Sequence, residues 1–209
     1  MKAGFPLFNK LHNILEKVVP QDEKDFNRIK ENRLFISMSK LENNGKKTAH
    51  KVSKFNSRRH QILCNLASSF IDVFGYMGNN VQPVEIEPNS GVRYVDGFYT
   101  DQLPLFPGKN VWTMTVSPFA AEAVIHPHDK IMKYVFQLNV FRIYINKENL
   151  DRLGNAIVPT IANLMAYRKQ GFRDALKFLA ENDFTDTKGI KEDQYEQLVN
   201  EHIQEIAGH

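Results

Sequence analysis

Three absences frame this 209-residue sequence. It has one cysteine, Cys64, so no internal disulfide can form, and this usage fits a reducing compartment. No stretch approaches the roughly 18 consecutive apolar residues of a membrane-spanning helix. The opening residues, MKAGFPLFNKLHNILEKVV, interrupt their apolar positions with Lys10, His12, Glu16 and Lys17, which excludes the continuous apolar core of a signal peptide. A cytoplasmic chain is expected, soluble or peripheral to a membrane. The third absence is chemical. None of Ser37, Ser39, Ser53, Ser57, Ser68, Ser69, Ser90 and Ser117 has a glycine two residues to either side, so the sequence holds no Gly-x-Ser-x-Gly nucleophile elbow.

What is present has globular proportions. With 42% apolar and 24% charged residues, the chain can bury a sizeable single core. The net charge of +3 conceals an asymmetry, because residues 1–60 carry 14 Lys and Arg against 6 Asp and Glu. Such a basic third attracts the phosphates of lipid head groups or of nucleic acid, or forms a solvated face. No zinc-finger spacing or aromatic ribonucleoprotein motif accompanies it, so nucleic acid is not expected as a partner.

The elements alternate in type. Residues 11–19 and 21–32 read as helices separated by Pro20, which cannot continue a helix. RLFISMS, residues 33–39, places Leu34, Ile36 and Met38 on one side of a strand and Phe35 on the other. A turn with Asn44-Gly45 at its tip leads to a second strand near 48–55. Ser57 is the expected N-cap of a helix to about Ile71, with Ile62, Leu66, Ser69 and Phe70 facing the core and Cys64 and Ala67 filling the helix. VRYVD and VWTMTVS read as strands. Residues 149–182, punctuated by Gly154, Pro159 and Gly171, read as two or three helices, the last with Phe172, Ala175, Leu176 and Leu179 inward. A polar terminal helix follows over 184–209. Alternating strands and helices predict an α/β domain.

Several side-chain groupings bear on chemistry. Asp96, in GVRYVDGFYTDQLP, ends a strand and precedes a glycine, a pattern that on residue type alone reads as a turn. His126, His128 and Asp129 lie together in HPHD, but no further ligand completes a four-ligand metal site, so the segment reads as a surface loop. Counting alone leaves a Ser-His-Asp triad open, although it would lack an elbow. Cys64 has apolar helical neighbours, not the electropositive pocket of a reactive thiolate. No cofactor motif is read.

Five blocks, ILCNLASSFI, GVRYVDGFYTDQLP, TMTVSPF, FRIYINKENLDRLGNAIVP and YRKQGFRDALKFLAEN, resemble the later part of a patatin-like phospholipase domain, in order and at compatible spacings over residues 30–182. The likeness is greatest to the animal triacylglycerol lipases and related acyl hydrolases. The resemblance implies a three-layer α/β sandwich with a largely parallel central sheet, a partial acyl hydrolase domain over 1–183, and no cofactor. It also implies acylglycerol or phospholipid as substrate, at a lipid droplet or membrane surface. In that family the aspartate of the Asp-Gly motif partners a serine nucleophile without histidine, which carries over to Asp96. The serine elbow and glycine-rich oxyanion loop of the family are expected upstream of Met1. Two departures stand within the blocks: Asp72 where relatives continue with proline, and Phe98 where they carry a second glycine. Three readings follow: a piece of an acyl hydrolase, a non-catalytic relative that binds lipid or self-associates through an uncovered sheet, and an unrelated α/β module.

Overall fold

The computed structural model describes residues 5–29, 31–71, 82–106, 108, 111–128, 134–138, 141–156, 159–182, 184, 194, 197 and 201. The chain divides into two compact units, Met1–Phe106 with Asn139–Phe141, and Pro107–Leu138 with Arg142–His209.

The first unit opens with helices α1 (Phe5–Val18) and α2 (Glu23–Ile29), parted at Pro20 as the sequence dictates. Strands β1 (Glu31–Leu41) and β2 (Lys47–Lys54) form an antiparallel hairpin. Its turn is closed by Gly45 N–H donating to the Glu42 carbonyl, with Gly45 at φ +79°, a conformation that favours glycine. Helix α3 (Arg58–Ala67) starts at the expected cap, where the Ser57 hydroxyl accepts from the His60 amide. It ends earlier than the periodicity predicts. Ser69 is exposed and bonds back to the Asn65 carbonyl, while Phe70 is buried beyond the helix end.

Strand β3 (Arg93–Asp96) completes a three-stranded sheet in the order β2-β1-β3, antiparallel throughout. The described residues are therefore α/β with a small antiparallel sheet, where the resemblance implied parallel pairing. The cause lies in connectivity: the tight turn at 42–46 can only join antiparallel neighbours, and β3 returns along β1 with Met38 opposite Asp96. The core sits between this sheet and the helices. Met38, Val95, Cys64 and Ala67 are fully enclosed, with Ile36, Ile62 and Leu66 beside them. An ion pair between Arg58 and Glu16 and a hydrogen bond from Arg58 to the Val19 carbonyl tie α3 to the end of α1.

The second unit departs further from the sequence reading. VWTMTVS is not a strand; only Val116 bridges, in parallel, to Ile125. Strands β4 (Val135–Leu138) and β5 (Phe141–Tyr144) form a two-stranded sheet. Helix α4 (Lys147–Asn155) is capped by Asn146, and α5 (Ile161–Glu181) by Thr160. Gly171 does not break α5, which passes through it for 21 residues. The face that α5 buries carries Asp174 and Phe178, one turn apart, while Phe172, Ala175, Leu176 and Leu179 are half-buried on its flanks. The expected terminal helix lies almost wholly outside the described residues.

Candidate functional site

The Asp96 carboxylate is presented by backbone. Strand β3 ends there because residues 97–99 turn into a single 3-10 turn, and Asp96 caps that turn by accepting from the Phe98 amide at 2.8 Å. Its own amide donates to the Phe70 carbonyl at 2.9 Å, and its carbonyl accepts from the Ser39 hydroxyl at 2.8 Å. The same hydroxyl meets Thr100 Oγ1 at 2.8 Å, so β1 clamps both sides of the turn. Gly97 lies against β1 so closely that a Cβ would stand 2.7 Å from the Ser37 carbonyl oxygen. Glycine is required at this point by proximity, not by torsion.

Phe98 is the departure that the sequence marks as consequential, yet among the described residues the only non-glycine with positive φ is Asn89. The Phe98 backbone therefore asks for none of glycine's freedom, and its ring packs edge-on against Tyr99 at 5.7 Å. Asp72, the other departure, lies outside the described residues.

Burial changes the chemistry of Asp96. Loss of solvent raises its pKa from 3.8 to about 6, opposed in part by the Phe98 N–H, which favours the charged form. A carboxylate with that value is a far better base than one in water, while still largely ionised at neutral pH. Among the described residues no serine hydroxyl donates to this carboxylate. Ser39 binds the backbone beside it, and Ser37 Oγ, buried below Gly97, has no hydrogen-bond partner among the described residues.

The remaining sequence candidates separate. Cys64 is enclosed in the core, and desolvation pushes its thiol up to about 12, so it is inert as a nucleophile. The described part of HPHD, residues 126–128, is a loop with His128 exposed, as its polarity suggests. Pro127 is buried and His126 is half-buried; the imidazoles of His126 and His128 stack at 4.9 Å, and His128 Nδ1 lies 3.8 Å from the Asp174 carboxylate. Asp129 lies outside the described residues. Among the described residues no three His, Cys, Asp or Glu side chains gather as a metal site would need.

Asn149 is a residue that periodicity gave no reason to single out. Fully buried on α4, it accepts from the Ala120 amide, donates to the Ala120 and Tyr144 carbonyls, and accepts from Arg152. A polar side chain at an inward helical position, next to a capping Asn146, was the available signal.

With this geometry in place, comparison with known proteins is informative. The chain is 36% identical over 186 residues to patatin-like phospholipase domain-containing protein 2 of Homo sapiens, covering 87% of this chain and 34% of that protein. It is 30% identical over 184 residues to the human patatin-like phospholipase domain-containing protein 4, of which it covers 66%. A 1-acylglycerol-3-phosphate O-acyltransferase of Mus musculus is 33% identical over 135 residues, covering 63% of this chain and 30% of that protein. The chain thus spans about a third of the length of the first of these curated relatives. No family model and no solved structure matches it.

Proposed function

The chain belongs to the patatin-like phospholipase domain family, and from that premise we propose that it carries the base of a lipid acyl hydrolase, Asp96. The observation that supports this most directly is a half-buried carboxylate at a strand end, with its pKa raised to about 6 and its turn fixed by backbone contacts to β1. The serine comes from an elbow segment that these 209 residues do not contain. In the proposed reaction, the serine hydroxyl attacks the ester carbonyl carbon while Asp96 takes its proton. Backbone donors stabilise the oxyanion, and the alcohol leaves with the proton. Water then releases the fatty acid from the acyl-enzyme. The acyltransferase name of one relative fits the same acyl-enzyme resolved by a lipid hydroxyl instead of water. Acylglycerol and phospholipid esters are the proposed substrates.

The three-layer sandwich belongs to this proposal too, over residues 1–183, with β2-β1-β3 as an antiparallel edge of a sheet that is otherwise parallel. So does the setting. Helix α1 exposes Ile14 and Val18 beside Lys10 and Lys17, an arrangement suited to a lipid droplet or anionic membrane surface. That observation also favours a second reading, a non-catalytic relative that binds lipid surfaces or a protein partner.

The test joins this chain to a family segment bearing the glycine-rich loop and serine elbow. The joined protein should hydrolyse emulsified triacylglycerol, with kcat/KM rising as pH passes upward through about 6, because the base must be ionised. Asp96→Asn should lower turnover at least 10³-fold and leave vesicle binding intact. Activity insensitive to Asp96→Asn would refute the assignment.

A further inference from the structure

The second unit carries a half-open pocket of about 520 Å³ that the proposed hydrolysis does not use. Its walls come from Val116, Phe119, Ile125, Pro127 and Leu164, so most of its surface is apolar. The volume falls within the roughly 300–1,000 Å³ of small-molecule sites. A methylene is similar in size to a water molecule, about 30 Å³ in the liquid, so the space between the walls corresponds to about one long acyl chain.

The polar side chains that line the pocket, among them His126, Arg152, Asn155, Tyr167 and Asp174, are differently committed. The Arg152 guanidinium is buried and already donates to Asn149 at 2.9 Å and to Gln170 at 3.1 Å. Tyr167 Oη accepts from Asn155 at 3.0 Å, and among the described residues nothing takes the phenolic hydrogen. Asp174, 7% exposed, has His128 at 3.8 Å and accepting capacity to spare. An acidic ligand head would meet the Asp174 carboxylate and an arginine already engaged by side-chain amides. A hydroxyl could donate to Asp174, and an ester carbonyl could accept from Tyr167.

We infer that this cavity is a binding site for a single-chain neutral lipid with a hydroxyl-bearing ester head, of the monoacylglycerol class, and that it discriminates against the corresponding fatty acid anion. The inference is independent of the role of Asp96 and stands or falls by direct binding.

Gly171 supplies the test. It lines the cavity in mid-α5, and a Cβ there would meet nothing within 4 Å. A leucine at this position fills the space and also improves helix propensity, so the variant is expected to fold. Calorimetric titration of the full chain with monodecanoylglycerol, below the concentration at which it self-assembles, should give one saturable site. Decanoate should bind at least tenfold more weakly, and Asp174→Asn should narrow that gap. Gly171→Leu should weaken monodecanoylglycerol binding at least tenfold with Tm and helicity retained, and Ala156→Leu, on another wall, should do the same. No saturable binding, equal affinity for decanoate, or undiminished binding in the two filled variants would each overturn the inference.

Discussion

Asp96 is held where a carboxylate is least comfortable. Its pKa is raised from 3.8 to about 6 by burial, so the folded state binds the proton more tightly than the unfolded chain does. The contribution of Asp96 to stability is therefore greatest below pH 3.8, falls as pH rises toward about 6, and is lowest at neutral pH. The difference between the two values corresponds to about 3 kcal/mol. Asn keeps the acceptor for the Phe98 amide and never ionises. Asp96→Asn should accordingly raise the unfolding free energy at pH 7 by up to about 3 kcal/mol, with the gain fading as pH falls through 6 toward 3.8. Denaturant titrations at pH 4 and pH 7 check this, and an equal effect at both would refute it. The neighbouring glycine should behave oppositely. Gly97→Ala places a methyl against the Ser37 backbone, which cannot rotate away, so a loss of about 1–3 kcal/mol is expected. Phe98→Gly relieves no torsional strain and should only remove ring contacts.

At the scale of elements, the sequence was informative where a side chain acts on its own backbone. Pro20 parts the first two helices, Ser57 caps α3, Gly45 turns the hairpin, and Asp96 ends β3; each is a local effect, and each was legible. Partner choice was not. Nothing in VRYVD says that it will pair antiparallel with β1, and nothing in VWTMTVS says that it will find almost no partner. The apolar spacing of 172–181 pointed to one face of α5, whereas packing selected the turn bearing Asp174 and Phe178. The buried amide of Asn149 was invisible for the same reason, since its partners at Ala120 and Tyr144 are remote or non-helical. That network gives α4 an expected sensitivity. Asn149→Leu keeps the bulk but strands the Ala120 amide, the Tyr144 carbonyl and one side of the Arg152 guanidinium, while the Ala120 carbonyl keeps the Tyr144 amide. Each buried group left unpaired costs about 1–3 kcal/mol. Thermal unfolding should show a loss of at least 3 kcal/mol, larger than that from Leu150→Ala on the exposed side of the same helix.

For the molecule as a whole, the bias of basic residues toward the first 60 positions sets an electrostatic expectation. Each Lys or Arg near an anionic leaflet contributes on the order of 1 kcal/mol, and salt screens the attraction. Co-sedimentation with phosphatidylserine vesicles should fall as ionic strength rises, while binding to purely zwitterionic vesicles should be weak at every salt concentration. Equal binding to both would leave exposed apolar residues such as Ile14 and Val18 as the cause. The clamp on the Asp96 turn has a temporal consequence. The β1–β2 hairpin closes over neighbouring residues, whereas the bond from Ser39 to the Asp96 carbonyl joins positions 57 apart, a loop whose closure must wait on greater entropy loss. The carboxylate is therefore expected to reach its position after the hairpin has formed to receive it. A nascent chain carries the aspartate early but acquires its basicity late, at the moment when β3 docks and water leaves.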